Sequence, residues 1–149
     1  ENGLNAIKST TENLLEELNL KLAEAELKIA ATVFDSYEPI LVTDADNIII
    51  RVNAAFTETT GYSAAEAKGK SPKFLASGYH DEAFYAQMWE CINKEGHWIG
   101  EIHNKHKNAS IYIEHMHITA IKNSWGEITN YTGIFTDKAR NRKRPKKTS

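Results

Sequence analysis

Cysteine is all but missing from this 149-residue chain, and Cys91 is the only one. A lone thiol excludes an internal disulfide and any zinc site built on paired cysteines. Long apolar runs are missing too. None approaches the roughly 18 residues that cross a bilayer. The chain opens on Glu1 with neither the basic-then-apolar order of a signal peptide nor a methionine, which predicts a fragment excised from a longer protein. There is no Gly-rich phosphate loop, no nucleophile elbow and no recognisable acid–base pair, so this segment is not expected to be an enzyme. Neither Gly nor Pro occurs between Gly3 and Pro39, a stretch free to run as one helix.

What is present is ordinary for a folded domain: 41% apolar and 26% charged residues argue against wholesale disorder. A chain of this length buries about 70% of its unfolded surface and needs no covalent staples. The net charge of −2 conceals an asymmetry. Seven of the 18 basic residues (Lys138, Arg140, Arg142, Lys143, Arg144, Lys146, Lys147) follow Asp137, with no acid among them. The other 11 stand against 20 acidic residues in Glu1–Asp137. An acidic body is a poor general nucleic-acid binder, because phosphate contacts need a basic face. The basic tail is read as a solvated linker, with a nucleic-acid or membrane contact as the alternative.

Three segments follow from the patterning: an N-terminal amphipathic helix over 1–36, a domain over 37–137, and the basic tail over 138–149. In the first, Ser9-Thr10-Thr11-Glu12 reads as a capping box. Behind it Leu15, Leu18, Leu22, Ala25 and Ile29 recur at spacings of three and four, a coiled-coil seam. Leu14, Leu20 and Leu27 lie off it and need a second surface. The helix either packs only on its own domain or is shared with a partner chain, most simply in a homodimer. In the second segment, Ile40–Thr43 and Ile48–Val52 read as a hairpin around Asp44-Ala45-Asp46-Asn47. Short helices are predicted over Asn53–Thr60 and Ser63–Lys68, a turn near Pro72–Ala76, and a longer helix over Asp81–Lys94. Strands over Trp98–Lys107, Ile111–Ile121 and Ile128–Thr136 complete an α+β domain, a five-stranded antiparallel sheet with small helices on one face.

On the strand Trp98–Lys107 the even positions (Trp98, Gly100, Ile102, Asn104) are the more apolar set. On the next strand the even positions are Glu114, Met116, Ile118 and Ala120. Strand alternation therefore turns the even face inward on both. It carries Asn104 and Glu114 into an apolar interior, where an amide and a carboxyl each need partners. A three-residue loop, Asn108–Ser110, would pair Asn104 with Glu114. On the outer face the same register sets His103 opposite His115 and Glu101 opposite His117, a geometry able to hold zinc or copper through His103, His115 and His117. A packed or solvated histidine patch is the plainer reading. His80 and His97 flank the long helix outside its inward face, which disfavours haem. His106 reads as a surface residue near a loop.

The run Asn53-Ala54-Ala55-Phe56-Thr57-Glu58-Thr59-Thr60-Gly61-Tyr62 resembles the N-x-x-F-x-x-x-T-G-Y signature of PAS sensory domains. Gly69-Lys70-Ser71-Pro72, Phe84-Tyr85 with Met88-Trp89, Trp98-Ile99-Gly100-Glu101-Ile102-His103-Asn104 and Tyr131–Asp137 are similar to further family stretches in order and spacing. The subgroup most resembled precedes diguanylate cyclase and cyclic-di-GMP phosphodiesterase domains; flavin-binding redox sensors are also similar. The chain departs from the family in Lys107-Asn108-Ala109, where the usual hairpin is K-N-G. Ala109 then occupies a positive-φ position at a cost of about 1 kcal/mol. It departs again in Asp137-Lys138-Ala139, where D-I-T is usual.

The resemblance implies a PAS fold and a sensor of a small-molecule or redox cue, cytoplasmic in this segment, that signals to a separate output domain, in cyclic-di-GMP signalling. It also implies that Asn104 and Glu114 meet the edge of a flavin, FAD, with Asn53, Trp89 and Trp98 lining the pocket. The alternative is a cofactor-free dimerisation module with both tryptophans as plain core. Light-driven cysteine–flavin chemistry is excluded, since Pro72 stands at the reactive-cysteine position.

Overall fold

The computed structural model describes residues 2–137, so the basic tail and the contacts expected of it lie outside the described residues. The chain divides after Asp35 into two units. The first is one continuous 33-residue helix, α1 (Asn2–Phe34), none of whose residues is buried. It runs through the expected cap at Ser9–Glu12. The Thr10 and Thr11 hydroxyls donate instead to the carbonyls of Ala6 and Ile7, each at 2.9 Å. Hydroxyls that bond back to residue i−4 are satisfied inside a helix and need not start one.

The second unit follows the order β1 (Ile40–Asp44), β2 (Ile49–Val52), α2 (Ala54–Thr60), α3 (Ala64–Ala67), a 3-10 turn (Pro72–Leu75), α4 (Glu82–Glu95), β3 (His97–Lys105), β4 (Ile111–Lys122), β5 (Ile128–Asp137). The strands form one antiparallel sheet in the order β2-β1-β5-β4-β3. Each helix start has a side-chain cap. Asn53 accepts from the Phe56 N–H, Ser63 and Glu66 form a reciprocal capping box, and Asp81 accepts from the Phe84 N–H. Gly61 and Gly96 close α2 and α4 in the left-handed region, at φ 83° each. Phe56, Phe135, Ile49, Leu75 and Ile92 are fully buried between the helices and the sheet.

The even face of β3 and β4 does turn inward, with Ile102, Asn104, Tyr112, Glu114, Met116 and Ile118 all buried. The register, however, is two residues away from the expected one. Asn104 pairs with Tyr112, and Ile102 pairs with Glu114. The cause lies at the hairpin. The Lys107 N–H leaves the ladder and donates to the Thr60 carbonyl at 2.9 Å, so β3 stops at Lys105. The turn becomes His106–Ser110, closed by Ala109 N–H to His106 O and His106 N–H to Ser110 O, both 2.9 Å. A two-residue shift preserves which side chains face inward and changes every cross-strand pair.

Each sheet edge is covered in part. On β2, the Ile49 N–H donates to Lys70 O and the Ile49 carbonyl accepts from Gly69 N–H, each at 2.9 Å. On β3, Ala76 forms a bridge with Asn104. The Ser77 hydroxyl donates to His103 O at 2.7 Å, and the His103 N–H donates to Nε2 of His80 at 2.9 Å. Backbone groups engaged in this way cannot pair with a further strand.

Ala109 sits at φ 73° in the left-handed region, the position where the related hairpin has glycine. Ala109→Gly is expected to stabilise the domain by about 1 kcal/mol, as the relief of a strained φ outweighs the added chain entropy. A urea midpoint that fails to rise would refute this account of the turn.

Candidate ligand-binding site

A cavity of about 490 Å³ lies between the inner face of the sheet and the helical layer. That is within the usual range of small-molecule pockets. Leu41 and Thr43 of β1, Ile102 and Asn104 of β3, Met116 and Ile118 of β4 and Tyr131–Gly133 of β5 form its floor. Pro72, Lys73, Leu75 and Ala76 form one wall, and Glu82, Tyr85, Ala86, Met88 and Trp89 of α4 form another. Both methionines of the chain, Met88 and Met116, face this space. Burial pushes the Tyr85 phenol above its ordinary pKa, which keeps it a neutral hydroxyl at physiological pH.

Asn104 is the polar centre of the floor. It is only 3% exposed, and among the described residues no hydrogen bond is made to its carboxamide. A buried amide facing an apolar cavity is costly unless a ligand or water partners it. Trp89 and Tyr131 meet edge to face, 5.2 Å between centroids. Together with Asn47 and Lys73 they also line an adjoining groove that includes Asp46 and Ser71. The cavity therefore opens past an aromatic pair into a polar porch carrying one cation, Lys73, and one anion, Asp46.

Of the residues singled out from sequence, the structure brings Asn104 and Trp89 together in the cavity lining. The other three lie elsewhere. Asn53 is buried, but it caps α2 and ties the start of β1. Its Oδ1 accepts from the N–H groups of Phe56 and Ile40, and its Nδ2 donates to Glu38 O, all within 2.9 Å. Trp98 lies over Gly100, where an added Cβ would come within 2.6 Å of the indole, and meets Phe84 edge to face. Glu114 is wholly buried yet does not line the cavity. Sequence reasoning passed over Thr43, Tyr85, Tyr131 and Lys73. The alternation that marked Asn104 would have found Thr43 and Tyr131, whereas Lys73 is placed by a turn.

The metal-binding arrangement of His103, His115 and His117, the alternative to a plain histidine patch, does not assemble. His103 stands opposite Ile113, His115 opposite Glu101 and His117 opposite Ile99. Among the described residues no group of three or more His, Cys, Asp or Glu side chains is placed to hold a metal ion. His103 stacks on Tyr79 at 3.8 Å instead, and His106 is half-buried against Tyr112 at 3.7 Å rather than a free surface residue. His80 and His97 are absent from the cavity lining. The same holds for Cys91, whose thiol donates to His97 O at 3.3 Å. Pro72 does line the cavity.

His80 holds the cavity wall to the sheet edge. Its Nε2 accepts from the His103 N–H, so the ring must be neutral, with its proton on Nδ1. Phe84 stacks on the ring at 3.7 Å. Burial lowers its pKa below the ordinary 6.5, the His103 ring adds to the drop, and Asp81 opposes it.

These observations agree with comparison to known proteins. A PAS domain model matches residues 38–139, and the chain belongs to the PAS family. It is 33% identical over 98 residues to a nitrogen fixation regulatory protein of Klebsiella oxytoca, covering 66% of this chain and 20% of that one. It is 28% identical over 119 residues to a blue-light-activated histidine kinase of Brucella ovis, covering 78% and 24%. The crystal structure of a PAS domain from Colwellia psychrerythraea superposes with a TM-score of 0.71 at 27% identity, over 76% of this chain and 98% of that one. The chain thus spans about a fifth of the Klebsiella regulator. It is a sensory PAS domain, homologous to sensor and regulatory proteins. Among the described residues no helix is long and apolar enough to cross a membrane.

Two outcomes are expected from this geometry. Because the folded pKa of His80 is depressed, its stabilising contribution is complete above about pH 6.5 and is lost as pH falls through the folded value. Thermal melts should show a smaller loss between pH 7 and pH 5 for His80→Gln than for the native chain. Equal losses would remove His80 from the account. Asn53→Ala should cost about 2 kcal/mol in urea unfolding, since it removes a cap and its two further bonds.

Proposed function

We propose that the cavity holds the ring system of a flavin, FAD, and that the domain reports the redox or binding state of that ligand to an output domain outside this segment. The Asn104 carboxamide carries the reading. The pyrimidine edge of an isoalloxazine offers a donor beside an acceptor, the complement of one amide. The ring's apolar remainder suits Leu41, Ile102, Met116 and Ile118, and the aromatic faces of Trp89 and Tyr131. Lys73, in the porch, suits the phosphates of a nucleotide tail. When bound, the flavin supplies reversible electron uptake. The chain's own residues orient it, exclude water and exchange hydrogen bonds with it at Asn104.

Asn104 lies on the edge strand β3, next to the residue that Ser77 and His80 hold. A changed hydrogen bond at its side chain therefore bears on both the sheet and the 76–80 segment. The likeness to a histidine kinase and a nitrogen fixation regulator, with the resemblance of the sequence motifs to PAS modules that precede diguanylate cyclases, supports an output in kinase or cyclic-di-GMP signalling and a cytoplasmic setting. With Pro72 in the wall and the only thiol outside the cavity, no light-driven cysteine adduct is part of the reading. Glu114, buried close to Asn104 on the neighbouring strand, is proposed as a support to the site rather than a ligand contact. The exposed apolar face of α1 supports a homodimer, and a cofactor-free dimerisation module is the reading that remains if no flavin binds.

The test is reconstitution. The purified chain incubated with FAD should retain it through gel filtration and show absorption near about 450 nm. Asn104→Ala should weaken that binding about tenfold, as the loss of a buried polar contact does. A chain that stays colourless after incubation overturns the flavin reading.

A further inference from the structure

Ten large apolar side chains of α1 are more than half exposed, among them Leu15, Leu18, Leu20, Leu22, Leu27 and Ile29. Most of them fall on two separate stripes, with Ile7, Leu14 and Val33 beside them. Leu15, Leu18, Leu22, Ala25 and Ile29 occupy the a and d positions of a heptad. Leu20, Ala23, Leu27, Ala30 and Phe34 repeat at the same spacing on the opposite side. Hydrophobicity does not choose between them, but charge does. The residues bordering the second stripe are Glu12, Glu17, Glu24 and Glu26, with no cation, so two copies brought together there would repel. The first stripe has Lys21 and Lys28 at g positions on one side, and Glu12 and Glu26 at e positions on the other. That border is self-complementary.

It also fixes direction. In a parallel pair each g residue faces the e residue five positions later on the other helix. Lys21 then faces Glu26 of the other copy, twice by symmetry. An antiparallel pair sets e against e and g against g. With the same a and d residues interlocked it places Glu12 near the other copy's Glu26, and Lys21 near its own equivalent. We infer that α1 pairs with α1 of a second copy of this chain, in parallel and in register, through Leu15, Leu18, Leu22, Ala25 and Ile29, with Lys21 of each copy against Glu26 of the other. This rests on the homodimer in the proposed function and adds its face and direction. The Leu20–Phe34 stripe points away from the pair.

Sedimentation velocity on the full 149-residue chain at low salt tests it, with circular dichroism confirming that each variant keeps its helix. The native chain should be a dimer. Leu22→Asp should make it monomeric and Leu27→Asp should not. Glu26→Lys should weaken the dimer about tenfold by turning two attractions into repulsions, and adding Lys21→Glu should restore it. An antiparallel pair predicts the reverse for Glu26→Lys, because the new lysine would meet Glu12; tighter association therefore overturns the inference. Thr32→Cys in a Cys91→Ser background should form a disulfide-linked dimer on mild oxidation, since only the parallel pair brings the two position-32 side chains together. A native chain that is monomeric throughout overturns the dimer itself, and FAD retention, measured separately, shows whether the cavity reading stands without it.

Discussion

An edge strand is an awkward place to keep a functional amide, and the structure depends on how this one is held. β3 has a ladder partner on one side only. On its free side the backbone of His103 is taken up at both ends, its carbonyl by Ser77 and its N–H by His80. Without those two bonds the strand carrying Asn104 would fray, and the cavity floor would lose its only amide. The clamp comes from the segment that continues the cavity wall after Leu75 and Ala76. Holding the edge strand and closing the cavity are thus one structural act. A neutral imidazole within it makes the closure sensitive to protons.

Alternation made Asn104 and Glu114 legible from sequence, because an inward face on a half-buried strand is a local property. The caps of the shorter helices were legible for the same reason, although the cap expected at Ser9–Glu12 lies inside α1. Asn53, Ser63, Asp81, Gly61 and Gly96 each act within one turn of their own position. Register was not legible. It turns on the Lys107 N–H preferring the Thr60 carbonyl to its ladder partner, a contact between residues 47 positions apart along the chain. The histidine triad failed with it, since a two-residue slip separates every pair that the expected register had joined. Asn53 shows a different limit. Its motif was read correctly and its role was not, because a side chain that caps a helix and one that lines a pocket leave the same mark in a sequence.

The cavity chemistry is defined by which side chains stay out of it as much as by those that enter. Cys91 lies on α4, as do Met88 and Trp89, but helical rotation turns it toward His97 instead of the cavity. Pro72 begins the 3-10 turn and offers no nucleophile. What lines it is two amides (Asn47 and Asn104), hydroxyls, two thioethers and aromatic rings, with the carboxylate of Glu82 on α4 and the ammonium of Lys73 at the porch. Such a set can bind, orient and tune a planar ligand by hydrogen bonds and packing. It has no group suited to bond covalently to one.

The same economy governs how the domain can associate. β2 is covered at Ile49 by Gly69 and Lys70, and β3 at His103 and Asn104 by Ala76, Ser77 and His80, which narrows the backbone left for strand addition. Apolar surface is left on the outer face of the sheet at Ile99, Ile111 and Ile113, and far more of it on α1. A helix of 33 residues bearing ten exposed large apolar side chains gains most from burying them against an equivalent surface. The charges beside the Leu15–Ile29 stripe are arranged for such a surface, and those beside the opposite stripe are not. The cavity and the exposed apolar stripes therefore belong to different units of the chain, the first depending on strand alternation and the second on helical periodicity.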